Sequence, residues 1–261
     1  MQKNINKKAQ VTMFVITALV IVVLIIIFFL IRANITNKSD IRKAPESPNQ
    51  YLSECVSVHI DKASELIIRN GGYISNESYK RYTEYEYERI PYLCFTPDFY
   101  SRCITAEPVI MDHLKEDFHS YLSPKIKTCL EELERDLKSD GFTISGTSEE
   151  SFILEILPNR IEVVINKDIK IEKSGEIKEF SKFRSSSQSS LYDFVRIVQR
   201  ITEDEAKYTN SEYINIMAAD PWMDITKVVT GNSDKIYTLT DTNTGISWRF
   251  AVRGGILSTP S

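Results

Sequence analysis

Residues 152–183 read FILEILPNRIEVVINKDIKIEKSGEIKEFSKF, and their period decides the fold. Ile161, Val163 and Ile165 recur every second residue, as do Ile169 and Ile171, which is the spacing of a strand with one covered face. Short strands are expected over Phe152–Leu157, Arg160–Asn166, Asp168–Lys173 and Glu176–Phe183. Pro158-Asn159, Asn166-Lys167 and Ser174-Gly175 would be the tight turns between them. One face covered and one wet describes an antiparallel meander.

Upstream of that stretch the period is helical. Leu52, Cys55, Val56, His59, Ala63, Leu66 and Ile67 lie on one helical face. Ser47-Pro48-Asn49-Gln50 supplies a start, with Ser47 as cap, Pro48 in the first turn and Gln50 placed for a capping box. Asn70-Gly71-Gly72 supplies the stop. Two further helices are expected, Glu107–Leu122 and Pro124–Ser139, separated at Ser123-Pro124. Downstream, Ser185–Ser190 reads as a loop and cap leading into a helix striped by Leu191, Phe194, Val195, Val198 and Ile201. A short helix over Ser211–Ala219 and strands over Lys235–Thr240 and Ile246–Arg253 complete the chain. Runs of helices and strands without βαβ alternation give an α+β fold around an antiparallel sheet with several packed helices.

The four cysteines, Cys55, Cys94, Cys103 and Cys129, lie in one stretch, and their even number suits disulfides in an oxidising exterior. Cys55 and Cys129 fall on the apolar faces of expected helices, while Cys94 and Cys103 bracket a short Pro-containing loop. The favoured pairs are therefore Cys55 with Cys129 and Cys94 with Cys103. No CxxC pair exists and the three histidines are scattered, so neither a zinc site nor another cofactor is read. His59 is expected as a packed core histidine. His113 and Asp117, one turn apart, are expected as an exposed ion pair.

Tyrosines crowd residues 73–100. In Tyr82-Thr83-Glu84-Tyr85-Glu86-Tyr87-Glu88, Tyr85 and Tyr87 would share one face of a strand. Tyr82, Tyr85, Tyr87 and Tyr92 are the candidate contact surface, since tyrosine offers rigid amphipathic area at little entropic cost. The competing reading is a strand whose tyrosines cover the core. Ser185–Ser190 has no G-x-S-x-G elbow, and no catalytic constellation is read.

Residues 1–43 hold 7 Lys/Arg against 1 Asp/Glu, leaving 25 basic and 35 acidic side chains, net −10, in the remaining 218. Such an acidic domain argues against nucleic acid as a partner. Val11–Ile31, VTMFVITALVIVVLIIIFFLI, is 21 uncharged residues, about 31 Å as a helix at roughly 1.5 Å per residue. The expected organisation is a basic leader over 1–9, a transmembrane helix over 10–33, a linker over 34–49 and an α+β domain over 50–261, with a possible split into two lobes near 141. The large domain would lie outside the cytoplasm.

Lys7-Lys8-Ala9-Gln10-Val11-Thr12-Met13-Phe14 resembles the archaeal class III signal of type IV prepilins. The resemblance implies cutting between Ala9 and Gln10 by a prepilin-type peptidase, with the apolar helix retained in a bilayer or a filament core. A plain signal anchor is the alternative. The order of anchor, Gly71-Gly72-Tyr73-Ile74, Ile90-Pro91-Tyr92, the cysteine helix and Trp248-Arg249-Phe250-Ala251-Val252 resembles single-pass membrane proteins of small-genome DPANN archaea, a family with no assigned activity. The expected role is a noncatalytic, membrane-anchored surface component acting through other surface or filament subunits. A receptor using the tyrosine-rich region is the alternative, and an anchored enzyme ranks last.

Overall fold

The computed structural model describes residues 19–23, 47–98, 100–146 and 150–255. The chain divides into two units, Met1–Glu46 and Ser47–Ser261. In the first, Leu19–Val23 is helical. The expected fold class is corrected here, because among the described residues no helix is long and apolar enough to cross a membrane. Five helical residues rise only about 7.5 Å, and the helices of the second unit carry charged faces. The rest of the expected 10–33 span, the 1–9 leader with Ala9 and Gln10, and linker residues 34–46 lie outside the described residues.

The second unit is α+β, built on two sheets rather than one. Its elements are α1 (Pro48–Arg69), β1 (Tyr82–Tyr85), β2 (Glu88–Phe95), β3 (Ile104–Thr105), α2 (Ile110–Ser139), β4 (Thr143–Ser145), β5 (Ser151–Leu157), β6 (Arg160–Lys173), β7 (Glu176–Gln188), α3 (Leu191–Tyr208), α4 (Tyr213–Ala219), β8 (Met223–Val229), β9 (Lys235–Asp241) and β10 (Ser247–Arg253). The larger sheet runs β1-β2-β10-β9-β8, with β3 on β2. It is mixed, since β2 and β10 pair in parallel, which corrects the expected antiparallel sheet. In the smaller sheet β6 pairs with β7 along one edge and with β5 and then β4 along the other, all antiparallel. α1 and α3 each contact both sheets, so the helices share one continuous apolar core with them.

β2 escapes a sequence reading because Pro91 interrupts it and because Ile90 to Cys94 is buried without alternation. The proline costs no rung: Tyr92 N–H donates to the Arg81 carbonyl on the β1 side, and pairing with β10 begins only at Tyr92. Gly71 lies against this strand. A Cβ there would stand 2.3 Å from the Arg249 carbonyl oxygen and 2.6 Å from the Pro91 ring, and φ is +66°. Glycine therefore ends α1 and also lets the chain pass over the sheet.

Pro124 does not divide two helices; α2 runs unbroken for 30 residues across it. Leu114, Phe118, Leu122, Ile126, Cys129, Leu130, Leu133 and Leu137 make one buried stripe, so packing overrides the proline. Pro124 and Ser120, whose carbonyl loses its helical donor, are both exposed residues. Asn166-Lys167 is likewise no turn. β6 continues through it with a register shift between Asn166 and Ile169, a bulge in one long strand. The capping box is also absent: Ser47 makes no side-chain cap bond, and Gln50 instead donates to Glu54 at 2.9 Å.

The serine run belongs mostly to β7. Ser185, Ser187 and Ser189 recur every second residue and meet α1. Ser185 Oγ donates to the Ser53 carbonyl at 2.8 Å, Ser187 donates to the Asp61 carboxylate, and Ser189 shares a 2.8 Å bond with Ser64. Residues 53, 61 and 64 lie along one helix face. Small hydroxyl side chains thus give a polar seam where a helix approaches a strand closely.

Candidate functional site

The tyrosine-rich segment folds as the hairpin β1–β2, but its turn falls inside the expected strand. Tyr85 pairs with Glu88, leaving Glu86 and Tyr87 as a two-residue loop with φ of +52° and +66°. Such loops match the strand twist when both residues are left-handed, a conformation that costs about 1–2 kcal/mol for a residue with a side chain. Tyr87 is consequently at the tip and fully exposed. Tyr82 is 42% exposed and Tyr92 is buried, while Tyr85 packs half-buried against the small cluster of Ile90, Tyr92, Ile236 and Ala251. Of the four candidate tyrosines, only Tyr82 and Tyr87 offer much surface.

The hairpin is braced from below. Arg89 stacks its guanidinium 4.7 Å from the Tyr82 ring centre, and Tyr82, Tyr79 and Tyr73 form an edge-on series with centroids 6.0 and 5.5 Å apart. Arg249 reaches Glu86 at 3.2 Å and Glu88 at 3.1 Å. Thr83 donates to buried Asp234 at 3.1 Å. Burial pushes the Tyr92 hydroxyl up to about 12, with Asp234 adding to the rise.

Both expected cysteine pairs are bonded, Cys55–Cys129 joining α1 to α2 and Cys94–Cys103 closing the loop after β2. His59 stands beside the first pair, its ring nitrogen and the two sulfurs lying within 4.8 Å of one another. Sequence spacing missed this trio because Cys129 comes from another helix. Burial lowers the affinity of His59 for a proton, and the Lys125 charge lowers it further.

The other histidines are held structurally. His113 lies 3.8 Å from Asp117 and 4.0 Å from Glu107. Its side chain is 18% exposed and that of Asp117 17%, so the expected exposed pair is a half-buried cluster. Asp117 also accepts the Ile74 N–H at 2.7 Å, tying the end of the Gly71-Gly72 turn to α2. Ser123 approaches His119 Nδ1 at 3.4 Å. Its hydroxyl also donates at 2.7 Å to the His119 carbonyl, a back-bond within the helix that competes with the longer approach to the imidazole. Asp220 pairs with Arg196 at 2.7 Å.

A third cluster has a legible but unread signal, a carboxylate on an apolar stripe. Glu205, four residues beyond Ile201 on α3, is 0% exposed. One of its oxygens accepts from Lys235, which also donates to the Thr209 carbonyl. The other accepts from Tyr237, whose hydroxyl is held far above its ordinary value by burial and then by Glu205. Every charge here has a fixed partner, the pattern of a clamp between α3 and β9.

The concavities near these groups are open. One of about 450 Å³ is lined by His59, Lys62, Tyr121 and Lys125, and one of about 230 Å³ by His119, Ser123 and Phe152. No protein-family model, curated protein or solved structure matches the chain.

Proposed function

We propose that this chain is a noncatalytic surface component whose second unit works outside the reducing cytoplasm and makes protein–protein contacts through the tip of the β1–β2 hairpin. The observation that carries the reading is Tyr87, an exposed aromatic held at positive φ on a braced hairpin. Strained backbone is retained where surrounding structure over-determines it, and exposed aromatics dominate protein contacts. Two disulfides support the oxidising compartment. The partner class is another surface subunit, and the class III-like leader supports export with processing at Ala9-Gln10. Intact mass of the native protein tests that step, with a chain starting at Gln10 expected.

A photo-reactive phenylalanine analogue placed at position 87 in the native host tests the contact. A discrete cross-linked adduct is expected from position 87 and not from Ile177, exposed on the other sheet. Identical adducts from both positions, or none from position 87, overturn the proposal.

A further inference from the structure

We propose that reduction of Cys55–Cys129 converts the α1–α2 seam into a three-ligand site, Cys55, His59 and Cys129, for a thiophilic divalent ion of the zinc class. The three donor atoms already lie within 4.8 Å of one another. A tetrahedral ion with metal–sulfur bonds of about 2.3 Å needs donors roughly 3.8 Å apart, so the two sulfurs, freed from their bond, would have to swing apart by about 1.8 Å by rotation about the side-chain bonds. The backbone is set for it: Cys55 and His59 are one helical turn apart on α1, and the Cα atoms of Cys55 and Cys129 are 6.1 Å apart. An imidazole nitrogen binds such an ion through its lone pair, giving up its proton on binding where it carries one.

Two thiolates and an imidazole favour zinc-class ions over hard cations, which take oxygen ligands. His59 lines the open concavity with Lys62, Tyr121 and Lys125, so water fills the fourth corner. The chemistry balances with a dithiol as reductant. It gives two electrons and two protons to the S–S bond, leaving two thiols and its own disulfide. Metal binding then releases both thiol protons to water, and a two-electron oxidant reverses the sequence by expelling the ion. The seam between α1 and α2 is thereby cross-linked in either redox state, by a covalent bond or by a metal.

The test uses the full chain carrying Cys94→Ala and Cys103→Ala, reduced with a phosphine under argon and titrated with Co²⁺. One ion per chain is expected, with a thiolate-to-cobalt charge-transfer band that Zn²⁺ abolishes by displacement. The oxidised chain and a further Cys129→Ala variant show no band. His59→Gln weakens Zn²⁺ binding at least about tenfold, and Zn²⁺ raises the melting temperature of the reduced chain. The proposal is overturned by a natively folded reduced chain that shows no band, by affinity unchanged in His59→Gln, or by a reduced chain that is unfolded and that Zn²⁺ fails to refold.

Discussion

Removing each disulfide separately measures how much of the stability of this domain resides in its unfolded chain. Cys55–Cys129 spans 74 residues of sequence and Cys94–Cys103 spans 9. In the chain-entropy account the long loop contributes about 4.5 kcal/mol at 25 °C and the short one about 2.6 kcal/mol. The short loop lies inside the long one, shortening it by so little that their coupling is about 0.1 kcal/mol. Cys55→Ala with Cys129→Ala should therefore cost about 2 kcal/mol more than Cys94→Ala with Cys103→Ala. At roughly 2–4 °C per kcal/mol for a domain of this size, the melting temperature falls by about 9–18 °C and 5–10 °C respectively. Urea unfolding of the unreduced proteins supplies both free energies. Its slope should rise clearly only for the long pair, because only that removal lets the denatured chain expand. Equal losses, or a larger loss for the short pair, refute the entropic argument.

Four further outcomes follow from named contacts. Pro124→Ala restores a donor to an interior helical turn and should stabilise by about 1–3 kcal/mol in chemical denaturation. Glu205→Ala leaves the buried Tyr237 hydroxyl without its acceptor and Lys235 without its counter-charge and should cost about 3–5 kcal/mol, whereas a surface control such as Glu176→Ala stays within about 0.5 kcal/mol. Tyr87→Gly relieves a left-handed φ and should raise stability by about 0.5–1 kcal/mol while abolishing partner contact, separating strain from folding. His59 binds its proton less readily folded than unfolded, so below the ordinary histidine value near 6.5 the unfolded chain takes up more protons and stability falls with pH. Melting temperatures from pH 7 to 5 should drop less in His59→Gln than in the parent, and parallel curves sink the assignment.

Local period carried much of the fold into the sequence. The α3 stripe of Leu191, Phe194, Val195, Val198 and Ile201 is buried throughout, and Ile161, Val163 and Ile165 cover one face of β6 as their alternation requires. Punctuation residues misled where packing outweighed them, at Pro124 and at Asn166-Lys167. Glu86-Tyr87 misled in the opposite sense, because a two-residue turn without Gly or Asn has no signal in composition. Long-range assembly was illegible for a different reason. The Cys55–Cys129 pair was legible from two helix faces, but nothing local places His59 beside it, nothing in Glu205 announces Lys235 and Tyr237, and the parallel partner of β2 lies far along the chain.

That last pairing fixes an order of events. β2 ends at Phe95, and its parallel neighbour β10 begins at Ser247, with Cys103, Cys129 and the whole smaller sheet between them in sequence. As the chain is synthesised, the hairpin and the smaller sheet emerge with the central position of the larger sheet still unfilled. Until the last strand arrives, Leu93 and Cys94 have no complete core to enter, and the edge of β2 is open to foreign strands. Completion of the larger sheet is thus a closing step made by β10, so cutting the chain between Phe95 and Ser247 removes the middle of a sheet and not its margin.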